Sequence, residues 1–169
     1  MTSLPNLLSL ARLLAAPYLF WLIWREHFHV ALLVMFFAGV TDALDGFLAR
    51  RWKVPSRIGE VLDPIADKAL LSGAFAALWL AGAIDGWLTA IVFGRDVLIL
   101  AGAGGALLLS KRLRRFPPSV WGKLSTIVQM ALVVIVTAGL EPLFGLAKWA
   151  TAALTLGSFV HYAWRYTRS

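Results

Sequence analysis

The chain of 169 residues is 60% hydrophobic and only 15% charged, with a mean hydropathy of +0.77. A soluble domain is about half apolar and about a quarter charged, so a disordered or nucleic-acid-coating chain is excluded and a water-soluble enzyme is disfavoured. The chain contains no cysteine, which rules out disulfides, thiolate metal sites and cysteine nucleophiles.

Six apolar segments follow one another, at residues 4–24, 28–49, 61–82, 86–109, 119–140 and 144–166. A bilayer-spanning helix needs about 20 residues, so six fill the length. The expected fold is therefore all-α: one polytopic integral membrane domain over residues 1–169, with six transmembrane helices and no appended soluble domain. The first segment does not read as a cleaved signal, because it lacks a basic start and carries Arg12 inside it. The run Arg114-Arg115-Phe116-Pro117-Pro118-Ser119 is expected to be a loop between the fourth and fifth segments.

The net charge of +7 is placed asymmetrically. With the N-terminus inside, Arg50, Arg51, Lys53, Arg57, Lys111, Arg112, Arg114, Arg115, Arg165 and Arg168 all fall on the cytoplasmic side. Arg25 and Lys148 fall opposite. That bias predicts both termini inside and basic clusters against anionic headgroups, not nucleic acid. Trp21, Trp24, Trp87 and Trp149 are expected at the outer interface, and Trp52, Trp121 and Trp164 at the inner one.

Four of the nine acidic residues lie within 26 positions: Asp42, Asp45, Asp63 and Asp67. The first pair is spaced i, i+3 and the second i, i+4, so each pair shares a helix face. A short polar loop makes the two segments antiparallel neighbours and brings four carboxylates to the cytoplasmic end. Carboxylates gathered out of water must be protonated or neutralised by cations. Oxygen ligands select hard ions such as Mg2+, Mn2+ or Ca2+, and two of them form a clamp for displacement at phosphorus. Taken singly, Asp63 before Pro64 also suits a helix cap, and Asp67 with Lys68 or Asp45 with Arg50 an ion pair. Gly46 and Gly59 leave room beside the backbone, and Arg50 suits a phosphate.

Written out, Asp42-x2-Asp45-Gly46-x2-Ala49-Arg50-x8-Gly59-x3-Asp63-x3-Asp67 resembles the signature of the CDP-alcohol phosphotransferase family at all eight fixed positions. The opening Leu4-Pro5-Asn6-Leu7-Leu8-Ser9 is similar to that of its bacterial phospholipid synthases. The resemblance implies a six-helix membrane enzyme, usually a homodimer, in a bacterial cytoplasmic membrane with its site on the cytoplasmic side. It would transfer a phosphatidyl group from CDP-diacylglycerol to an alcohol and release CMP. It also implies two Mg2+ or Mn2+ ions held by Asp42, Asp45, Asp63 and Asp67, with Asp67 as base, and a CDP site at Asp45, Gly46, Ala49, Arg50 and Gly59.

For the acceptor, Arg12, Arg95, Asp96 and Lys123 are polar residues within apolar segments and therefore candidates; Arg95 and Asp96 also suit a self-neutralising group with Lys123. Gly94-Arg95-Asp96-Val97 resembles the cardiolipin-synthase branch. Gly122-Lys123-Leu124-Ser125-Thr126 resembles G-K-x-K-T with serine at the second lysine. A missing cation favours phosphatidylglycerol as acceptor over glycerol 3-phosphate, which remains the alternative. A small ion or solute transporter is the non-enzymatic alternative, disfavoured because the carboxylates cluster at one end.

Overall fold

A computed structural model describes the backbone of residues 3–52, 59–109 and 120–167, and within these the side chains of 10–41, 66–98 and 120–162. The described residues form six helices and no strand: α1 (Ser3–Trp24), α2 (Phe28–Trp52), α3 (Gly59–Leu80), α4 (Gly86–Leu109), α5 (Val120–Thr137) and α6 (Glu141–Thr167). They match the six apolar segments in order. The loop expected at residues 114–119 lies outside the described residues.

Where ends differ from the expected segments, the turn chemistry accounts for it. The third stops at Leu80 because Gly82 takes a left-handed φ of 72°, letting the Ala83 N–H bond back to the Leu78 carbonyl at 2.9 Å. The fifth stops at Thr137, before Gly139 at φ 67°, where the Leu140 N–H reaches the Ile135 carbonyl at 3.0 Å. Helix α1 ends the same way without glycine. Glu26 holds φ 58° while the His27 N–H bonds to the Leu22 carbonyl at 2.8 Å, a backbone cost of about 1 kcal/mol for a residue with a Cβ.

The chain divides into two compact units, Met1–Ile84 with Thr137–Gly139, and Asp85–Val136 with Leu140–Ser169. In the first, α1 packs against both α2 and α3. Arg12, Ala16, Leu19 and Ile23 form its buried stripe, at the i, i+4, i+7, i+11 spacing of one helix face. Ala66, Leu70, Ala74, Phe75 and Leu78 are buried on α3. Small residues let the backbones close: a Cβ added at Gly73 would lie 3.9 Å from the Ala16 carbonyl oxygen.

The second unit buries polar side chains beside Leu88, Val92, Leu132 and Val133 and exposes many apolar ones. Ser125 and Gln129 on α5 and Thr151, Thr155 and Ser158 on α6 are buried, while Ile127, Val134, Leu146, Leu156 and Val160 are exposed. Gln129 Nε2 donates to Ser125 Oγ at 3.1 Å and Thr155 Oγ1 at 3.0 Å, and the two hydroxyls lie 3.2 Å apart. Thr151 Oγ1 donates to the Val128 carbonyl at 3.4 Å. Helix α4 packs on α6, and their N-terminal ends are tied by Lys148, which pairs with Asp85 and sits 5.5 Å from the Trp87 ring centre. So many exposed apolar side chains are unlike a water-soluble bundle, whose helices turn apolar stripes inward and polar faces outward. Among the described residues, Val120–Thr137 and Glu141–Tyr162 are long and apolar enough to cross a membrane.

Replacing Thr155 by valine keeps shape but removes a hydroxyl shared by Ser125 and Gln129. Thr155→Val is expected to lower unfolding free energy in detergent by about 0.6–1.7 kcal/mol, the scale of hydrogen bonds between membrane helices. Val160→Ala, on the exposed face, should change it by less than about 0.5 kcal/mol. Equal effects in a denaturation series would show that the network adds nothing to the packing.

Candidate active site

Helix periodicity gathers the signature residues. On α2, positions 42, 45, 46 and 49 fall within an arc of about 100°, and on α3 positions 59, 63 and 67 within about 80°. Both helices are continuous through these positions. Because α3 starts at Gly59, Asp63 lies within the helix, not at its cap. The side chains of Asp42, Asp45, Gly46, Ala49, Arg50, Gly59 and Asp63 lie outside the described residues.

Asp67 is the signature carboxylate whose surroundings are described, and it is 48% exposed. Its Oδ1 accepts a hydrogen bond from Nη1 of Arg12, which comes from α1, 55 residues earlier, and is 4% exposed. The sequence offered Asp67 with Lys68 as an ion pair and Arg12 as an acceptor contact; the structure adds a hydrogen bond from Arg12 to Asp67. Among the described residues, no three acidic or histidine side chains form a metal-sized group. A half-open carboxylate held by a buried guanidinium fits a proton acceptor or a ligand to a hard cation.

The remaining acceptor candidates lie in the second unit. Arg95 Nη1 donates to Asp96 Oδ1 at 2.6 Å, and Nη2 to Ser158 Oγ at 3.3 Å. Both charged side chains are buried, and through Ser158 the group joins α4 to α6. Lys123, on the first turn of α5, is exposed.

Sequence reasoning singled out Ser125 only as a missing lysine. It missed Gln129, Thr151, Thr155 and Ser158. Their signal was available: polar residues at i, i+4 on α5 and i, i+4, i+7 on α6, in helices otherwise apolar.

An all-helical chain with carboxylates one turn apart on two helices, one of them open and oriented, defines a class of helical proteins equipped for chemistry on a charged ligand. The chain belongs to the CDP-alcohol phosphatidyltransferase family, which it matches over residues 2–159. It is 35% identical to a cardiolipin synthase (CMP-forming) of Rattus norvegicus, over 98% of this chain and 62% of that one. It is 36% identical to a CDP-diacylglycerol–glycerol-3-phosphate 3-phosphatidyltransferase of Cereibacter sphaeroides, over 86% of this chain and 69% of that one. A protein of the latter name from Aquifex aeolicus is 32% identical over 79% and 75%. The chain thus spans less than two thirds of the length of the rat relative.

The Arg95–Asp96 pair gives a stability test. Asp96→Leu leaves Arg95 buried with Ser158 as its remaining partner and is expected to cost about 3–5 kcal/mol. Arg95→Met combined with Asp96→Leu should regain most of that loss, since no uncompensated charge remains. Thermal unfolding in detergent measures both. A double variant as unstable as the single one would refute a charge-pairing role.

Proposed function

We propose that the protein transfers a phosphatidyl group from CDP-diacylglycerol to an alcohol, releasing CMP, and that the acceptor is phosphatidylglycerol. The observation that carries the reading is the complete eight-residue signature on continuous helices, with its last carboxylate, Asp67, half open and oriented. The family match supports the reaction class.

In this reading Asp67 takes the proton of the acceptor hydroxyl. The hydroxyl oxygen forms a bond to the phosphorus that carries the diacylglycerol. The pyrophosphate P–O bond breaks, and its electron pair leaves with CMP. Asp42, Asp45, Asp63 and Asp67 would hold two Mg2+ or Mn2+ ions. The all-oxygen donor set suits hard divalent cations, and such ions neutralise a pyrophosphate and stabilise its leaving group. Asp45, Gly46, Ala49, Arg50 and Gly59 bind the CDP moiety, with two glycines leaving the backbone open to it. Lys123, exposed on α5, meets the acceptor phosphate, and Arg95 and Asp96 belong to the same acceptor side.

The placement in the membrane follows the charge pattern. All six helices span the bilayer as one domain over residues 1–169, with both termini and the signature on the cytoplasmic face. The setting is a bacterial cytoplasmic membrane, and the enzyme acts as a homodimer. Outward apolar faces on α1, α5 and α6 support the spanning reading.

The preference for phosphatidylglycerol rests on position 125. Ser125 is fully buried in the Gln129–Thr155 network, so position 125 supplies no second cation beside Lys123 for a phosphomonoester carrying nearly two charges. Glycerol 3-phosphate is the second reading, favoured by the likeness to the Cereibacter relative.

CMP release from CDP-diacylglycerol in detergent micelles, with each acceptor offered separately and the lipid product weighed by mass spectrometry, tests both. Cardiolipin is expected from phosphatidylglycerol. A phosphatidylglycerophosphate product would overturn the acceptor assignment and leave the site assignment standing. EDTA should abolish release and Mg2+ or Mn2+ restore it; full activity without metal defeats the two-metal reading. Asp67→Asn should lower turnover by at least about 100-fold, as for loss of a general base, while CDP-diacylglycerol binding is retained. Unchanged turnover removes Asp67 from that role.

A further inference from the structure

Arg12 is the sole charged residue of α1. It lies on the stripe that packs against the neighbouring helices, between Ala16 and the N-terminal turns, and is 4% exposed. The carboxylate it pairs with is 48% exposed, so the two members of this ion pair are unlike. The cation is buried in the packed face, and the anion is about half exposed.

That asymmetry separates two roles. A guanidinium that recognises an incoming phosphate must present its donor edge to it, and a side chain this buried presents almost nothing. A half-open carboxylate on a helix surface turns about two side-chain torsions unless something holds it. A donor rooted in a packed interface supplies that hold: fixing Oδ1 also fixes the direction of the second oxygen on the planar group. We infer that Arg12 is a positioning residue, which sets the orientation of Asp67 and touches neither substrate. The inference rests on the reading of Asp67 as the base that accepts the acceptor hydroxyl proton. Base efficiency depends on such placement, because an error of about 1 Å in a reacting group costs about 100-fold in rate.

The test uses the full chain in micelles and compares Arg12→Gln, Arg12→Lys, Asp67→Asn and the Arg12→Gln/Asp67→Asn double variant. Arg12→Gln should lower kcat about 100-fold while the KM values for CDP-diacylglycerol and phosphatidylglycerol hold, the pattern of a group that acts on the reacting step. Arg12→Lys keeps a charged donor without the fork and should restore part of kcat. In the Asp67→Asn background, Arg12→Gln should lower residual CMP release less than about twofold, because a residue acting through Asp67 has nothing left to act through. Mn2+ bound per protomer, read by electron paramagnetic resonance, should be the same in Arg12→Gln and the parent.

A raised KM for phosphatidylglycerol with kcat intact would make Arg12 an acceptor contact and overturn the inference. Multiplying losses in the double variant, or loss of bound Mn2+, would overturn it too. So would a lower melting temperature with kcat per folded enzyme unchanged. Loss of turnover in Asp67→Asn but not in Arg12→Gln sinks this inference alone. Full turnover in Asp67→Asn sinks the base reading and this inference with it.

Discussion

A polar side chain buried among apolar helices must find a partner, because an unpaired one costs several kcal/mol where no water can reach it. Most of what is specific in this structure follows from that constraint. Arg12 meets Asp67 across α1 and α3, Arg95 meets Asp96 and Ser158 across α4 and α6, and Gln129 joins Ser125 to Thr155 across α5 and α6. Each pairing fixes the register of two helices whose outward faces, being uniformly apolar, specify none. Sliding such helices by one turn would still cover Leu and Val with Leu and Val, but it would strand a guanidinium or an amide.

The two ion pairs show what the constraint leaves free. Arg95 and Asp96 are adjacent in sequence and both buried, and Arg95 bonds to Asp96 and to Ser158. Arg12 and Asp67 are 55 residues apart, and only the arginine is buried. The first arrangement settles two charges inside a helical unit. The second joins a buried cation to one oxygen of a carboxylate that is still about half exposed. Helix α1 carries no signature residue, yet it supplies the surface on which both signature-bearing helices pack, and through Arg12 it reaches the site itself.

The helices were legible in the sequence because length and hydropathy alone delimit apolar segments of this size, and the ends moved by only a few residues where a left-handed turn residue intervened. Gly82 and Gly139 are the kind of residue that announces such a turn; Glu26 is not, and nothing in its neighbourhood marks it. The carboxylate signature was legible because four acids stand out in an acid-poor chain. The hydrogen bond from Arg12 to Asp67 was not. It is set by helix packing over 55 residues, which periodicity within one segment does not report. The polar stripe of α5 and α6 was overlooked for another reason. Serine and threonine read singly as ordinary helix residues, and only their common face, once the helices are in register, makes them a network.

That network changes the meaning of the serine at position 125. Read in the sequence, it is a place where a lysine is missing. In the structure it is a fully buried hydroxyl bonded to Gln129 and Thr155. A lysine there would bring an ammonium into a buried position whose hydrogen-bond partners are an amide and a hydroxyl, a costly burial. The neutral residue suits the way α5 meets α6. Lys123, by contrast, is exposed on that stretch of α5. The proposed preference for a phosphodiester acceptor over a phosphomonoester, which brings nearly two charges, therefore draws on position 125 giving a hydroxyl to helix packing in place of a charge.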